Sequence, residues 1–450
     1  MKSKAMFLMN MYWAFSVIYY LIGKWQWNIP SYFFVFLYVA INYFALNIGY
    51  ARKHQRFLNE KDAVINVTEA EYIANRKNVF CKYVKLWYIA CILTIFFEIM
   101  WVKTFVGEFS IFDVFEKLGD NYYERMEAEF DSPVLVMQLR TLLWFVTYFV
   151  YPFGFYFFKD MKFSQKLLFL ATVIVEILAS LNVGVSKNIG DLVIIIIAVL
   201  VLKLLENSTY KKQVQRHLRI GKRKVLLMMF LILSIFLVSF AYTQILRDEV
   251  TNSIQNPYGY FANEREWSIF SLLFGDTALA HALDRMGIYC SHGYTGLAYA
   301  LTLPFESTHG LGFSNALMQY CETYLGIPSP LEHTYNYRIF EIYGWKNGQW
   351  WSSAFVYIGS AITFWAVPIL MYFAGKLFRR VEHEWTTQRS IISLIVYAQM
   401  FIAFVYLPCN AQIFQGRQAL IATALMFLIY IIYTIRNNSK RKTKNELATS

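Results

Sequence analysis

The sequence lacks any long polar stretch from which a soluble domain could be built, although 450 residues would suffice for two or three. It also lacks a metal signature. The five cysteines, at 81, 91, 290, 321 and 409, contain no C-x-x-C spacing, and no HExxH or comparable ligand pattern occurs. Nothing near the N-terminus resembles a cleavable signal: residues 6–23 run apolar without a small-residue cleavage site and read as a retained first span. No repeat relates the two halves, which counts against a carrier built on internal symmetry.

What is present is apolar. Hydrophobic residues make up 57% of the chain and aromatics 19%. The mean hydropathy is +0.37. These values exceed those of soluble domains, and the excess is gathered in blocks long enough to cross a bilayer as helices. Ten spans are expected, at 6–23, 31–50, 86–106, 135–158, 167–185, 190–205, 225–244, 352–374, 391–408 and 419–435. A spanning segment must satisfy its own backbone hydrogen bonds, so the expected fold is all-α and polytopic. Three parts follow: a seven-span bundle over 1–244, a large loop over 245–351, and three spans with a basic tail over 352–450.

Charge sorts the connections into two kinds. One set carries most of the basic residues, among them Arg52, Lys53, Arg76, Lys77, Lys159, Lys162, Lys166, the run from Lys211 to Lys224, Arg379, Arg380 and the tail from Arg436 to Lys444. The other set is net acidic. Ten alternating crossings place every basic connection on one side, and the positive-inside rule makes that side, with both termini, cytoplasmic. The net charge of +12 then reports topology and contact with anionic lipid rather than nucleic-acid binding.

Two outer connections are long. Residues 107–134 are acidic and read as a solvated amphipathic helix. Residues 245–351 are too rich in Trp, Tyr, Phe and Leu for disorder, and loops of that length are commonly functional. Short helices are expected there, such as 265–288 and 313–325, lying on or dipping into the leaflet. Gly293–Phe305 is apolar but too short to span, which suggests a re-entrant segment. Cys290 and Cys321 share this loop, and a bridge between them or two buried thiols both remain open.

Ionisable groups at membrane depth are costly without a partner, so they mark candidate sites. Lys187 and Asp191 sit in the turn between the fifth and sixth spans. Arg247 ends the seventh, Arg338 and Glu341 precede the eighth with His333 upstream, and Arg417 opens the tenth. Four cations from separate helices at one depth suit a diphosphate group, since Arg offers a bidentate fork and Lys a point charge. Against this stands snorkelling to headgroups or a local salt bridge for each cation. Deeper in the spans, Glu98 and Arg140 are placed to pair between the third and fourth, and Glu176 has no evident role.

The tract Gly293-Tyr-Thr-Gly296-Leu-Ala-Tyr-Ala-Leu-Thr-Leu-Pro304-Phe, followed by His309-Gly-Leu-Gly312-Phe-Ser-Asn315, resembles the external loop of Wzy-type O-antigen and capsular polysaccharide polymerases. Tyr343-Gly344-Trp345, Gln349-Trp-Trp-Ser352 and Asn410-Ala-Gln-Ile-Phe-Gln415 extend the likeness. His333 with Glu341 and Gly344 is similar to the histidine-led motif of the related O-antigen ligases, although Thr334 stands where those proteins commonly place Asn. Ser186-Lys187 stands where polymerases often have Gly-Ser-Arg, which keeps the charge and loses the fork.

The resemblance implies a glycosyltransferase that needs neither metal nor cofactor. It would join undecaprenyl-diphosphate-linked oligosaccharide repeats at the outer face of a bacterial cytoplasmic membrane. A chain-length regulator and a flippase are the implied partners. Lys187, Arg247, Arg338 and Arg417 would steady the departing diphosphate. His333 or Glu341, with Asp191 in reserve, would take the acceptor proton. Tyr294, Trp345, Trp350 and Trp351 would stack on sugar rings, unless they serve as interfacial anchors. Two rivals stand beside this reading: a flippase or exporter of the same lipid-linked sugars, and a non-catalytic assembly partner.

Overall fold

The computed structural model describes residues 4–51, 69–111, 135–209, 227–237, 239–240, 243, 258–345 and 352–449. Apart from one short strand pair, the regular structure among these is helical. The first half holds α1 (Lys4–Ile22), α2 (Tyr32–Ala51), α3 (Glu69–Val106), α4 (Leu135–Leu143), α5 (Phe145–Phe157), α6 (Phe163–Asn182), α7 (Lys187–Thr209) and α8 (Leu227–Leu237). The large loop contributes α9 (Ile269–Phe274), α10 (Ala278–Tyr289), α11 (Gly293–Ala300), α12 (Asn315–Leu325) and α13 (Tyr335–Tyr343). The chain ends in α14 (Ala354–Ile362), α15 (Val367–Gln388), α16 (Ile391–Tyr406) and α17 (Arg417–Thr449).

Six of these, α1, α2, α3, α6, α7 and α17, are long and apolar enough to cross a membrane. Counting α14 and α15 as one broken span gives seven. Large apolar side chains such as Phe7, Phe33, Phe44, Phe96 and Leu167 face outward on these helices. In water that surface would be unstable, whereas lipid tails solvate it without cost.

The expected ten spans are therefore met only in part. Residues 135–158 form two helices broken at Trp144, and α16 has 16 residues. Residues 352–374 do not form a straight span, because α14 and α15 meet at 115°. Hydropathy reads one continuous apolar run there. The backbone turns at Thr363, whose φ is +76°, and a proline in the first turn starts α15 afresh. Descending from that bend, α15 packs on α2 at backbone distance. A Cβ on Gly375 would lie 2.0 Å from the Leu46 carbonyl oxygen, and one on Gly49 would lie 1.9 Å from that of Tyr372.

Contacts between helices fix which ends lie together. Lys4 at the start of α1 donates to the Leu204 carbonyl near the end of α7 at 2.7 Å. Arg389, just past α15, pairs with Glu206, and Tyr433 in α17 donates to Gln388. The start of α1, the ends of α7 and α15 and the middle of α17 thus share one end of the bundle, called here the terminal end. Arg76 pairs with Asp160 at 2.7 Å in the same region.

At the opposite end, here the rim, the large loop is tied to the α1–α2 turn. Strand β1 (Trp25–Trp27) pairs antiparallel with β2 (Ala262–Glu264), Gln26 opposite Asn263. Arg265 donates to the carbonyls of Gly23 and Leu21, satisfying acceptors left open at the end of α1. From this anchor α10 enters the bundle. Its Asp284 accepts from Tyr19, and the Tyr12 hydroxyl lies beside the thiols of Cys290 and Cys409. Helix α11 then returns: Tyr294 meets Ser16 and Tyr43, Thr295 meets Tyr20, and Tyr299 donates to the Asn28 carbonyl. Tyr12 is about 15 Å down α1 from Ile22 at 1.5 Å per residue. Together α10 and α11 form a hairpin with its tip at Ser291–His292, packed against α1 between Tyr12 and Tyr20.

Candidate functional site

The residues most able to do chemistry converge under the rim, between α3, α4, α5, α6, α7 and α16. From α4, Arg140 reaches Glu98 on α3 with bonds of 2.9 and 3.1 Å. Both side chains are buried, and the guanidinium lies between the rings of Trp101 and Trp144. Gln418 accepts a third bond from Arg140 at 3.1 Å, which joins α17 to the group. A buried ion pair survives only when geometry and extra hydrogen bonds offset its desolvation. This pair has both, as the spacing of the third and fourth spans suggested.

Next to it lies a cavity of about 50 Å³ with mainly apolar walls, into which Thr147, Glu176, Lys187, Asp191 and Gln399 bring polar groups. A smaller cavity of about 10 Å³ sits against Glu98 and Arg140 and shares Trp144 and Thr147 with it. The larger one has room for a few waters, since one needs roughly 10–15 Å³. Lys187 and Asp191, four residues apart in the first turns of α7, form an ion pair of 2.6 Å. The second Asp191 oxygen accepts from the Tyr406 hydroxyl at 3.0 Å, fixing the carboxylate between α7 and α16. Lys187 keeps 32% of its side-chain surface exposed, so the cavity meets the surface at this pair. Glu176 lines the inner wall and accepts a 2.8 Å bond from Tyr151.

A second cluster stands on the rim surface. Glu306 accepts from His333 Nδ1 at 2.8 Å and pairs with Arg338 at 3.0 Å, while Arg338 also donates to the Pro304 carbonyl. The Glu306 carboxyl is held below its ordinary range, first by the His333 hydrogen bond and then by the Arg338 charge. Nδ1 of His333 is engaged, which leaves Nε2 on a ring that is 55% exposed. Glu341 is exposed on α13.

Arg417 belongs to neither cluster. It donates to Gln319 at 3.3 Å and covers the Tyr320 ring. Among the described residues no contact links Lys187, Arg338 and Arg417 to one another. Each is engaged by its own neighbours: Lys187 and Arg338 by carboxylates, Arg417 by a glutamine and a tyrosine ring. Arg247, Trp350 and Trp351 lie outside the described residues. Tyr294 and Trp345 are buried: Tyr294 hydrogen-bonds Ser16 and Tyr43 inside the hairpin, and Trp345 packs edge-on against Phe261 and Trp27. In this arrangement their faces are covered by protein rather than open to a sugar. Cys290 and Cys321 are free thiols.

Sequence reasoning missed Tyr151, Gln399, Tyr406, Gln412 and Gln418. Polar side chains in or beside apolar spans were the available signal, but one such residue per helix does not reveal that Tyr151, Gln399 and Gln412 line one cavity or that Tyr406 and Gln418 hold its charged neighbours Asp191 and Arg140. The glycines of the quoted tract now have a physical role. A Cβ on Gly293 would lie 2.3 Å from the Pro408 carbonyl oxygen, and one on Gly296 would lie 2.3 Å from Ser352 Oγ. Only glycine lets the returning hairpin helix approach these segments so closely. In comparisons with protein-family models, curated proteins and solved structures, nothing matches this chain.

Proposed function

We propose that this protein is a metal-independent polysaccharide polymerase. It would join undecaprenyl-diphosphate-linked oligosaccharide repeats at the outer face of a bacterial cytoplasmic membrane, with its rim outside. The observation that carries this reading is the Lys187–Asp191 pair at the mouth of a cavity that also holds Glu176, in a chain whose large loop carries the polymerase-like tract. In that position Lys187 offers charge to a departing diphosphate in a site partly shielded from water, where such charge acts most strongly. The His333–Glu306 pair on the rim supplies a second resource, an imidazole whose orientation a carboxylate fixes and which can accept a hydroxyl proton. Arg338, tied to the same Glu306, stands beside it as a further cation.

The test is deletion and complementation in the source cell, with surface polysaccharide sized on gels. Loss of the gene is expected to leave single repeats on the carrier and no long chains. Lys187→Ala, Arg338→Ala and Arg417→Ala should each shorten or deplete polymer, and loss of one transition-state contact typically costs about 10²–10³ in rate. Retention of full polymer length and quantity in all three variants would remove the polymerase reading. The buried ionisable groups Glu98, Arg140 and Glu176 favour a flippase as the second reading, because transport paths place such groups within spans. Failure of lipid-linked units to reach the outer leaflet would establish that alternative.

A further inference from the structure

Five ionisable side chains meet around the paired cavities: Glu98, Arg140, Glu176, Lys187 and Asp191. Arg140 is matched by Glu98, and Lys187 by Asp191. That leaves Glu176 without a cation. Its side chain is 3% exposed, and its partner among the described residues is the Tyr151 hydroxyl, which bonds one carboxyl oxygen. The same residue lines the cavity wall. An unpaired carboxylate in such a place bears its full desolvation cost, and one added positive charge removes it.

We propose that Glu176 is a proton-binding group of this cavity, taking its proton from cavity water and holding it as a neutral carboxylic acid. The surroundings favour a proton over an anionic ligand, because among the described residues no uncommitted cation faces Glu176 from the neighbouring helices. Helix α3 presents Glu98 and Cys91, α4 presents Arg140, α5 presents Tyr148 and Tyr151, α7 presents Lys187 and Asp191, and α16 presents Tyr406. Proton exchange has a route, since Lys187 and Asp191 are partly exposed at the cavity mouth. The inference stands on charge balance and geometry, and it holds for either reading of the protein's function.

Dicyclohexylcarbodiimide tests it on the full chain in membranes, with no need for an activity. The reagent's nitrogen takes the carboxyl proton while the carboxylate oxygen adds to its central carbon. The resulting O-acylisourea rearranges, by transfer of the acyl group from oxygen to nitrogen, to a stable N-acylurea that mass spectrometry assigns to a peptide. The Glu176 peptide is expected to be modified in acidic buffer, with modification falling about tenfold per pH unit once the group titrates. Glu98, held by Arg140, should stay unmodified. Glu176→Gln keeps an acceptor for Tyr151 and should lose both the modification and a protonated-carboxyl band in infrared difference spectra. Absence of both signals from the wild-type protein would overturn the proposal. So would protection by sodium at constant pH, which would make the ligand an alkali cation.

Discussion

Arg140 and Glu98 show what a single contact does in this bundle. Both are removed from solvent, and the guanidinium has aromatic rings on two sides and a glutamine amide oxygen on a third. Removing either partner strands the other as an uncompensated buried charge, which costs about 3–5 kcal/mol. Replacing both with apolar residues of similar volume removes the problem as well as the bond. Glu98→Leu and Arg140→Met should therefore each lower the thermal midpoint in detergent, and the double variant should recover most of the loss. Equal or additive losses in the double variant would show that the pair is not a coupled unit. Sequence pointed to this pair, since two opposite charges in adjacent apolar spans have few other partners. For Glu176 it pointed to nothing, because Tyr151 and the cavity wall come from helices whose contacts no spacing reveals.

Helices were legible to different degrees, for identifiable reasons. The six long spans follow from hydropathy because a helix alone satisfies a backbone in lipid. The hairpin of the large loop was half legible: Gly293–Phe305 stands out as a short apolar tract, while its pairing with α10 depends on contacts with Tyr19 and Tyr12 that only the fold displays. The bend between α14 and α15 was hidden, because apolar residues continue through it. The positive φ of Thr363 makes the turn, and the one mark of it in the sequence is the proline that opens α15. That bend makes α15 the helix that lies on α2, and two glycines permit the approach. A side chain at Gly375 or Gly49 would press on a backbone carbonyl, which cannot rotate aside. Gly375→Val and Gly49→Val should each destabilise the protein by about 1–3 kcal/mol, the usual range for overpacking. Gly190→Ala serves as the comparison, because its nearest neighbouring atom would be 3.5 Å away. If all three melted alike, close packing of α2 on α15 would not be a source of stability.

Across the whole molecule the two ends differ in charge and in construction. The terminal end gathers Arg76, Lys159, Lys162, Arg379 and Arg389 around buried acceptors such as Glu206. The rim carries the strand pair, the short helices of the large loop and the two polar clusters. Basic residues are retained on the cytoplasmic side during insertion, so the terminal end should face the cytosol and the rim the exterior. Single cysteines read this directly, in a background where the exposed native Cys81 is replaced by serine. Ser164→Cys, exposed near the start of α6, should react with a membrane-impermeant maleimide only after the cells are opened. Ser307→Cys, exposed beside Glu306 on the rim, should react in intact cells. Reaction of both from one side would contradict the packing of the bundle, since α6 begins at the opposite end from Glu306. Opposite sides in the reverse sense would preserve the fold but turn the Lys187 cavity toward the cytosol, away from exported lipid-linked sugars. The polymerase reading needs the rim outside, and this pair of substitutions decides it before any sugar is measured.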